Sequence, residues 1–132
     1  MNKHIALVTG ASRGIGAETA KILGELGYFV CVHYYKNASS AENVVEYILK
    51  AGGSADAIQA DISQEVEIVE MFERIYKHYG SISALVNNAG SNGGFLVSEE
   101  ISINNLVSVF SLNVFGVFIC VREAVKRMKN LS

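Results

Sequence analysis

Between the apolar run Ile5–Val8 and a stretch of helical periodicity lies Thr9-Gly10-Ala11-Ser12-Arg13-Gly14-Ile15-Gly16, a glycine-rich turn at a strand-to-helix junction. Each glycine answers a separate physical demand. Gly10 permits a tight turn straight out of the strand, Gly14 lets main chain approach a diphosphate, and Gly16 removes a side chain where helix and strand pack closely. The helix that begins here aims unpaired N–H groups and the positive end of its dipole at phosphate. Strand before and helix after make this a dinucleotide-binding turn, with Gly10, Ser12, Arg13, Gly14, Ile15 and Gly16 as candidate contacts.

The remainder alternates. Strands are expected at 5–9, 28–34, 54–59 and 83–86, from short apolar or β-branched runs bounded by turn residues. A first helix, 14–26, carries Ile15, Ile22, Leu23 and Leu26 at helical spacing and stops at Gly27. A second places Ala41, Val44, Val45, Ile48 and Leu49 on one face, with Ser39 or Ser40 as cap and Gly52-Gly53 as stop. A third is expected to be capped by Ser63, to carry Val66, Val69, Phe72, Ile75 and Tyr79, and to end at Gly80. After a Gly- and Asn-rich loop at 87–94, a long helix is expected from about Ile103 to Met128, interrupted at most by Gly116. Four strand–helix alternations predict an α/β fold, a doubly wound parallel sheet with right-handed crossovers.

At 132 residues the chain is at most one domain. Half of it is hydrophobic and 18% is charged, a balance natural for part of a larger α/β domain whose strands are covered on both faces. As a whole domain it predicts exposed apolar surface. A net charge of −2 gives no electrostatic case for nucleic acid or an anionic membrane surface. No uninterrupted apolar run reaches the roughly 18 residues a bilayer span needs, so no membrane partner is expected, and the default location is cytoplasmic. Cys31 and Cys120 sit in apolar runs and read as buried thiols. His4, His33 and His78 are scattered without metal-ligand spacing and read as surface or strand residues, so no metal site is expected. Lys126, Arg127 and Lys129 suit the C-terminal dipole of the last helix.

Three further features bear on family. Asn87-Asn88-Ala89-Gly90 follows the fourth strand, Asp61-Ile62 follows the third, and Asn113 lies within the last helix. Together with Thr-Gly-x-x-x-Gly-x-Gly they make the chain resemble the short-chain dehydrogenase/reductase family over its whole length. It looks most like the bacterial 3-oxoacyl-carrier-protein-reductase and sugar-dehydrogenase-like members. The resemblance implies a Rossmann-type sheet in the order 3-2-1-4, cut short after four strands and the long helix. Residues 1–132 would then be an incomplete NAD(P)-binding domain. It also implies that Asp61 accepts a hydrogen bond from the adenine amino group and that Ile62 packs on the ring. An Asp at a strand end also serves simply to cap a helix, and that reading stays open. Ala89 and Gly90 would let their loop lie against the coenzyme, with Asn88 as the ribose contact and Asn87 tying neighbouring strands together.

The choice of dinucleotide has a physical basis. NAD-binding relatives place a carboxylate at the end of the second strand, where it holds the ribose 2′-hydroxyl and repels a 2′-phosphate. Here the stretch is His33-Tyr34-Tyr35-Lys36, with no acid, and Tyr34 and Tyr35 lie at the expected adenosine end. Arg13 in the glycine turn can grip a phosphate, so NADP(H) is expected over NAD(H). Lys36 is as well explained by a solvated loop charge.

The resemblance implies a serine and a Tyr-x-x-x-Lys, the tyrosine serving as general acid/base. No tyrosine here is followed four residues later by lysine. Asn113 would be the one remnant of that catalytic set, anchoring a water beside the missing lysine. Loop 91–96 is the stretch that could border a substrate. The helix is apolar nearly all round from 106 to 121, and strand four would be an open edge, which predicts self-association or pairing through the last helix. Three functions therefore remain: the coenzyme half of an NADP(H)-dependent alcohol/ketone oxidoreductase, inactive alone; a non-catalytic nucleotide-binding or helix-pairing module; or a relic product.

Overall fold

The computed structural model describes residues 4–94 and 96–128. Four strands, β1 (Ile5–Val8), β2 (Phe29–Tyr34), β3 (Ser54–Gln59) and β4 (Ala84–Val86), form one parallel sheet in the order β3-β2-β1-β4. Leu7 pairs with Cys31 on one side and Leu85 on the other, while Cys31 pairs with Asp56. Helices α1 (Gly14–Glu25), α2 (Ala38–Lys50) and α3 (Glu65–Tyr79) make the crossovers. A short 3-10 turn (Ser98–Glu100) precedes α4 (Ile103–Phe110), a π turn (Ser111–Phe115) and α5 (Gly116–Met128).

Strand alternation divides the core in two. Val8, Val30 and Val32 face α1 and α2, meeting Ala17, Ala20, Ala41, Val44 and Ile48. Ile5, Leu7 and Cys31 face α3 and α5, meeting Ile68, Met71, Phe72, Ile75, Cys120 and Ala124. Both cysteines are buried free thiols, as composition implied, and burial pushes each up to about 12. The sheet is thus covered on both faces around β1 and β2, which accounts for their unbroken apolar runs.

The first helix presents a different face from the one its large residues mark. Ile15, Ile22 and Leu26 are exposed, and Gly16, Ala17, Ala20 and Gly24 are buried. Close approach decides this: a Cβ at Gly24 would lie 2.7 Å from Ile48 Cγ2 on α2, so only small residues fit between. The caps differ as well. Asn37, not Ser39 or Ser40, caps α2 by accepting from the Ser40 amide at 3.1 Å. Ser63 does not cap α3; its hydroxyl donates to Asp61 at 2.7 Å, and the capping position is Gln64. In both cases an Asx side chain has captured the nearby donors.

The last helix runs 26 residues, Ile103–Met128, and is long and apolar enough to cross a membrane. This differs from the expectation drawn from uninterrupted runs. Asn104, Asn105, Ser108, Ser111 and Asn113 break the run, and an average over the helix absorbs them. The π turn sits where only Gly116 was expected to interrupt. Gly116 itself packs so tightly on the Ile62 carbonyl that a Cβ would collide with it. Along α4 none of the residues is buried, and α5 buries only Gly116, Cys120, Glu123 and Ala124.

Glu123 fastens α5 from within. Its carboxylate is 3% exposed and takes bonds from Arg122 (2.9 Å), Lys126 (2.9 Å) and Arg127 (3.1 Å), and the Arg127 guanidinium lies over Phe72 of α3. Burial works against the charged form, but the bonds from Lys126, Arg122 and Arg127 outweigh it and hold the pKa down to about 2. A depressed carboxylate contributes stability that is complete above its ordinary value near 4.5 and is lost as pH falls toward 2. Glu123→Gln should therefore cost roughly 1–3 kcal/mol at pH 7, discounted because two partners are solvent-exposed. The gap between variant and native should close by pH 2 to 3 in urea-unfolding curves. Lys129, read with this basic cluster from the sequence, lies outside the described residues.

Candidate functional site

A crevice of about 600 Å3 opens at the C-terminal ends of β1, β2 and β4, the place where the chain leaves β1 for α1 on one side and β4 for its loop on the other. Gly10, Ser12, Arg13, Gly14, Ile15, Asp61, Ile62, Asn88, Ala89 and Gly90 line it, as do Tyr35, Lys36 and Asn37. The turn after β1 is built for approach from outside. Gly14 has φ +57°, and a Cβ there would meet nothing within 4 Å, so its backbone faces open space. Among the described residues, the amides of Arg13, Gly14, Ile15 and Gly16 have no hydrogen-bond acceptor. Arg13 is exposed, occupies the cap position of α1, and leaves its side chain out of the cap.

Gly16 is buried and stands behind the crevice instead of lining it. A Cβ there would collide with the Gly10 carbonyl oxygen and come within 2.5 Å of Asn88 Nδ2. Its role is spacing, the one expected from sequence.

Two side chains that the motif does not single out tie the turn to its neighbours. Thr9 Oγ1 accepts from the amides of Asn88 and Ala89, both at 3.0 Å, which latches the loop after β4 onto the end of β1. His33 is 2% exposed. Its Nδ1 accepts from the Gly10 amide at 2.9 Å, its carbonyl accepts from the Ala11 amide at 2.8 Å, and its Nε2 donates to the Ala60 carbonyl at 2.8 Å. Sequence reasoning read His33 as a surface or strand residue; the available signal was a titratable residue at the strand end nearest the glycine turn.

Asn88 lines the crevice, as expected, and also takes the part expected of Asn87. The strand tie belongs to Asn88, whose Nδ2 donates to the carbonyls of Thr9 (3.1 Å) and Gly10 (3.0 Å), while Asn87 is exposed. One residue of pleat separates the two, and the inward position falls to the second. Tyr34 likewise turns away, packing beside the α1–α2 core, while Tyr35 lines the crevice. Lys36 lies 5.0 Å over the Tyr35 ring.

Asp61 lines the crevice and also shapes the turn into α3. Its Oδ1 accepts from the Ser63 amide at 2.9 Å and the Ser63 hydroxyl, and its own amide donates to Glu67. Asn113 projects from the π turn and spends its side chain on Ser91. Oδ1 accepts from the Ser91 amide at 2.8 Å, and Nδ2 donates to the Ser91 carbonyl at 2.5 Å. It fixes the floor of the loop that borders the crevice. Of loop 91–96, Phe95 lies outside the described residues. Among the described residues no cluster of His, Cys, Asp and Glu could hold a metal ion.

The profile of the short chain dehydrogenase family matches residues 4–132. An uncharacterized oxidoreductase of Escherichia coli, YgfF, is 48% identical over 94% of this chain and 50% of its own length. A 3-oxoacyl-[acyl-carrier-protein] reductase of Staphylococcus epidermidis is 41% identical over 97% of this chain and 52% of its own. The ketoreductase LanV, solved with bound NADP, superposes with a TM-score of 0.87 at 33% identity, over 94% of this chain and 50% of LanV. The chain spans about half the length of the curated relatives it matches.

Proposed function

The chain belongs to the short-chain dehydrogenase family, and on that premise we propose that it is the coenzyme-binding half of an NADP(H)-dependent oxidoreductase that interconverts an alcohol and a ketone. The observation that carries this reading is the set of unpaired amides at the start of α1, opening on a crevice that holds Arg13 and no carboxylate at the end of β2. The diphosphate would rest on the amides of residues 13–16, where the helix dipole is positive. Arg13 would grip the 2′-phosphate, with a guanidinium that no other group of the chain occupies among the described residues. Asp61 and Ile62 would hold the adenine, and Ala89 and Gly90 would lie along the ribose. When bound, the coenzyme supplies the hydride chemistry; these residues supply position.

We read the proton-handling serine, tyrosine and lysine of the family as lying outside these 132 residues, which would turn over no ketone by themselves. The exposed row Ile103, Leu106, Phe110, Phe115 and Phe118 supports a protein partner, or a second copy, against the last helix. Asn104 and Ser108, exposed on the same helix, argue against lipid on that surface, because polar side chains are costly in hydrocarbon. The buried free thiols suit a reducing cytoplasm.

Titration with NADPH and with NADH, followed by nicotinamide fluorescence, tests the reading. NADPH should bind more tightly. Arg13→Ala should weaken NADPH by about 10- to 100-fold, the worth of a charge-assisted bond to phosphate, and leave NADH nearly unchanged. Equal losses for both, or a native preference for NADH, would remove the 2′-phosphate assignment.

A further inference from the structure

His33 is a buried imidazole that the family motif does not use, and it sits at the junction of three elements. It is on β2; it accepts from Gly10 of the phosphate turn; and it donates to Ala60, just past β3 and next to Asp61. The two bonds fix its tautomer. Gly10 N–H is a donor, so Nδ1 must be bare, and the proton must reside on Nε2, which reaches a carbonyl. A second proton on the ring would place two donors face to face, Nδ1–H against Gly10 N–H, on a ring that is only 2% exposed. We propose that His33 is a positioning residue whose unprotonated Nδ1 holds the phosphate turn in its binding geometry, so that coenzyme affinity falls when the ring takes up a proton.

The surroundings agree with this assignment. Burial lowers the pKa of the ring, opposed by the Ala60 bond and by the charge of Asp61, so the neutral form prevails at neutral pH. From the elements packed around it, Asp61 after β3 is the carboxylate that acts on the ring, and Arg13 and Lys36 line the same crevice. The sign follows from linkage. The contribution of a histidine with a lowered pKa to fold and turn is complete above its ordinary value near 6.5, and is lost as pH falls from there through the lowered value. Binding of a phosphate ligand to the fixed turn then competes with proton uptake.

The inference rests on the coenzyme reading, and two measurements separate the two. The first is NADP+ affinity by calorimetry between pH 7.5 and 4.5, with folding checked at each pH by circular dichroism. Native affinity should fall by about 10-fold or more, the loss of one buried hydrogen bond plus an uncompensated charge. His33→Asn keeps an acceptor near the Nδ1 position and has no proton to gain. It should bind within about 3-fold of native at pH 7.5 and lose the native acid limb. His33→Gln keeps the donor toward Ala60 and offers nothing to Gly10, so it should bind weakly at every pH. An acid limb unchanged in H33N, or native affinity in H33Q, would overturn the proposal. The second measurement is the 15N spectrum of the native ring without coenzyme. A bare Nδ1 at pH 7.5, with the Gly10 amide shifting at the same midpoint as the ring, supports the strut; a protonated Nδ1 at pH 7.5 overturns it. Absence of NADP+ binding at all pH values would sink the coenzyme reading, and the ring spectrum would then decide the strut alone.

Discussion

Gly16→Val should abolish useful coenzyme binding and destabilise the fold more than any surface change. The new Cβ has nowhere to go: the Gly10 carbonyl and Asn88 Nδ2 occupy its position, and those two groups are bonded to each other at 3.0 Å. Neither is the free end of a flexible side chain. Relief requires moving the start of α1 away from β1, which displaces the amides at residues 13–16. Overpacking of this kind costs about 1–3 kcal/mol or more, and the same displacement should weaken NADPH by about 100-fold, equivalent to ~2.7 kcal/mol. Thermal melts and fluorescence titration read the two effects separately. A valine variant with native affinity would mean that the turn holds its shape without the helix behind it.

The second large effect is expected at Thr9. Thr9→Val keeps the shape of the side chain and removes the hydroxyl that accepts from the Asn88 and Ala89 amides. Two main-chain donors at a half-buried position then lose their acceptor. At about 1–3 kcal/mol for each orphaned donor, the cost should be roughly 2–6 kcal/mol. Thr9→Ser retains the hydroxyl and should lie within about 1 kcal/mol of native, the scale of a lost buried methyl. Urea unfolding of the pair checks this. Equal losses in both would shift the cause from the hydrogen bonds to the methyl group.

Much of the fold was legible because its signals are local. The glycine turn, the runs that became β1 to β4, and the stops at Gly27, Gly52 and Gly80 are short-range patterns, and the bounds of β3 coincide with those expected. The sheet order came from the family resemblance, and the parallel sheet in the order β3-β2-β1-β4 agrees with it. What the sequence hid is decided by distance between elements. Ile22 and Leu26 hold helical spacing as well as any buried pair, yet they face outward, because α1 approaches α2 too closely for a large side chain. That Asn37 caps α2 in place of a serine, and that Asp61 engages Ser63 ahead of α3, turns on which side chain reaches the amides first. His33 and Thr9 were invisible as site residues because each acts on main chain far away in sequence, and no spacing rule reports that. That the strand tie falls to Asn88 and not Asn87 is a matter of pleat phase, which shifts with a single residue at a strand end.

The bonds from Thr9 to the amides of Asn88 and Ala89 join points 79 and 80 residues apart along the chain. Closing so long a loop is slow compared with forming any helix between. On a ribosome the phosphate turn emerges early, but its latch cannot shut until residue 89 has cleared the exit tunnel. The crevice is therefore assembled only after β4 and its loop have emerged, and a nascent chain halted before that point would carry the motif without the pocket.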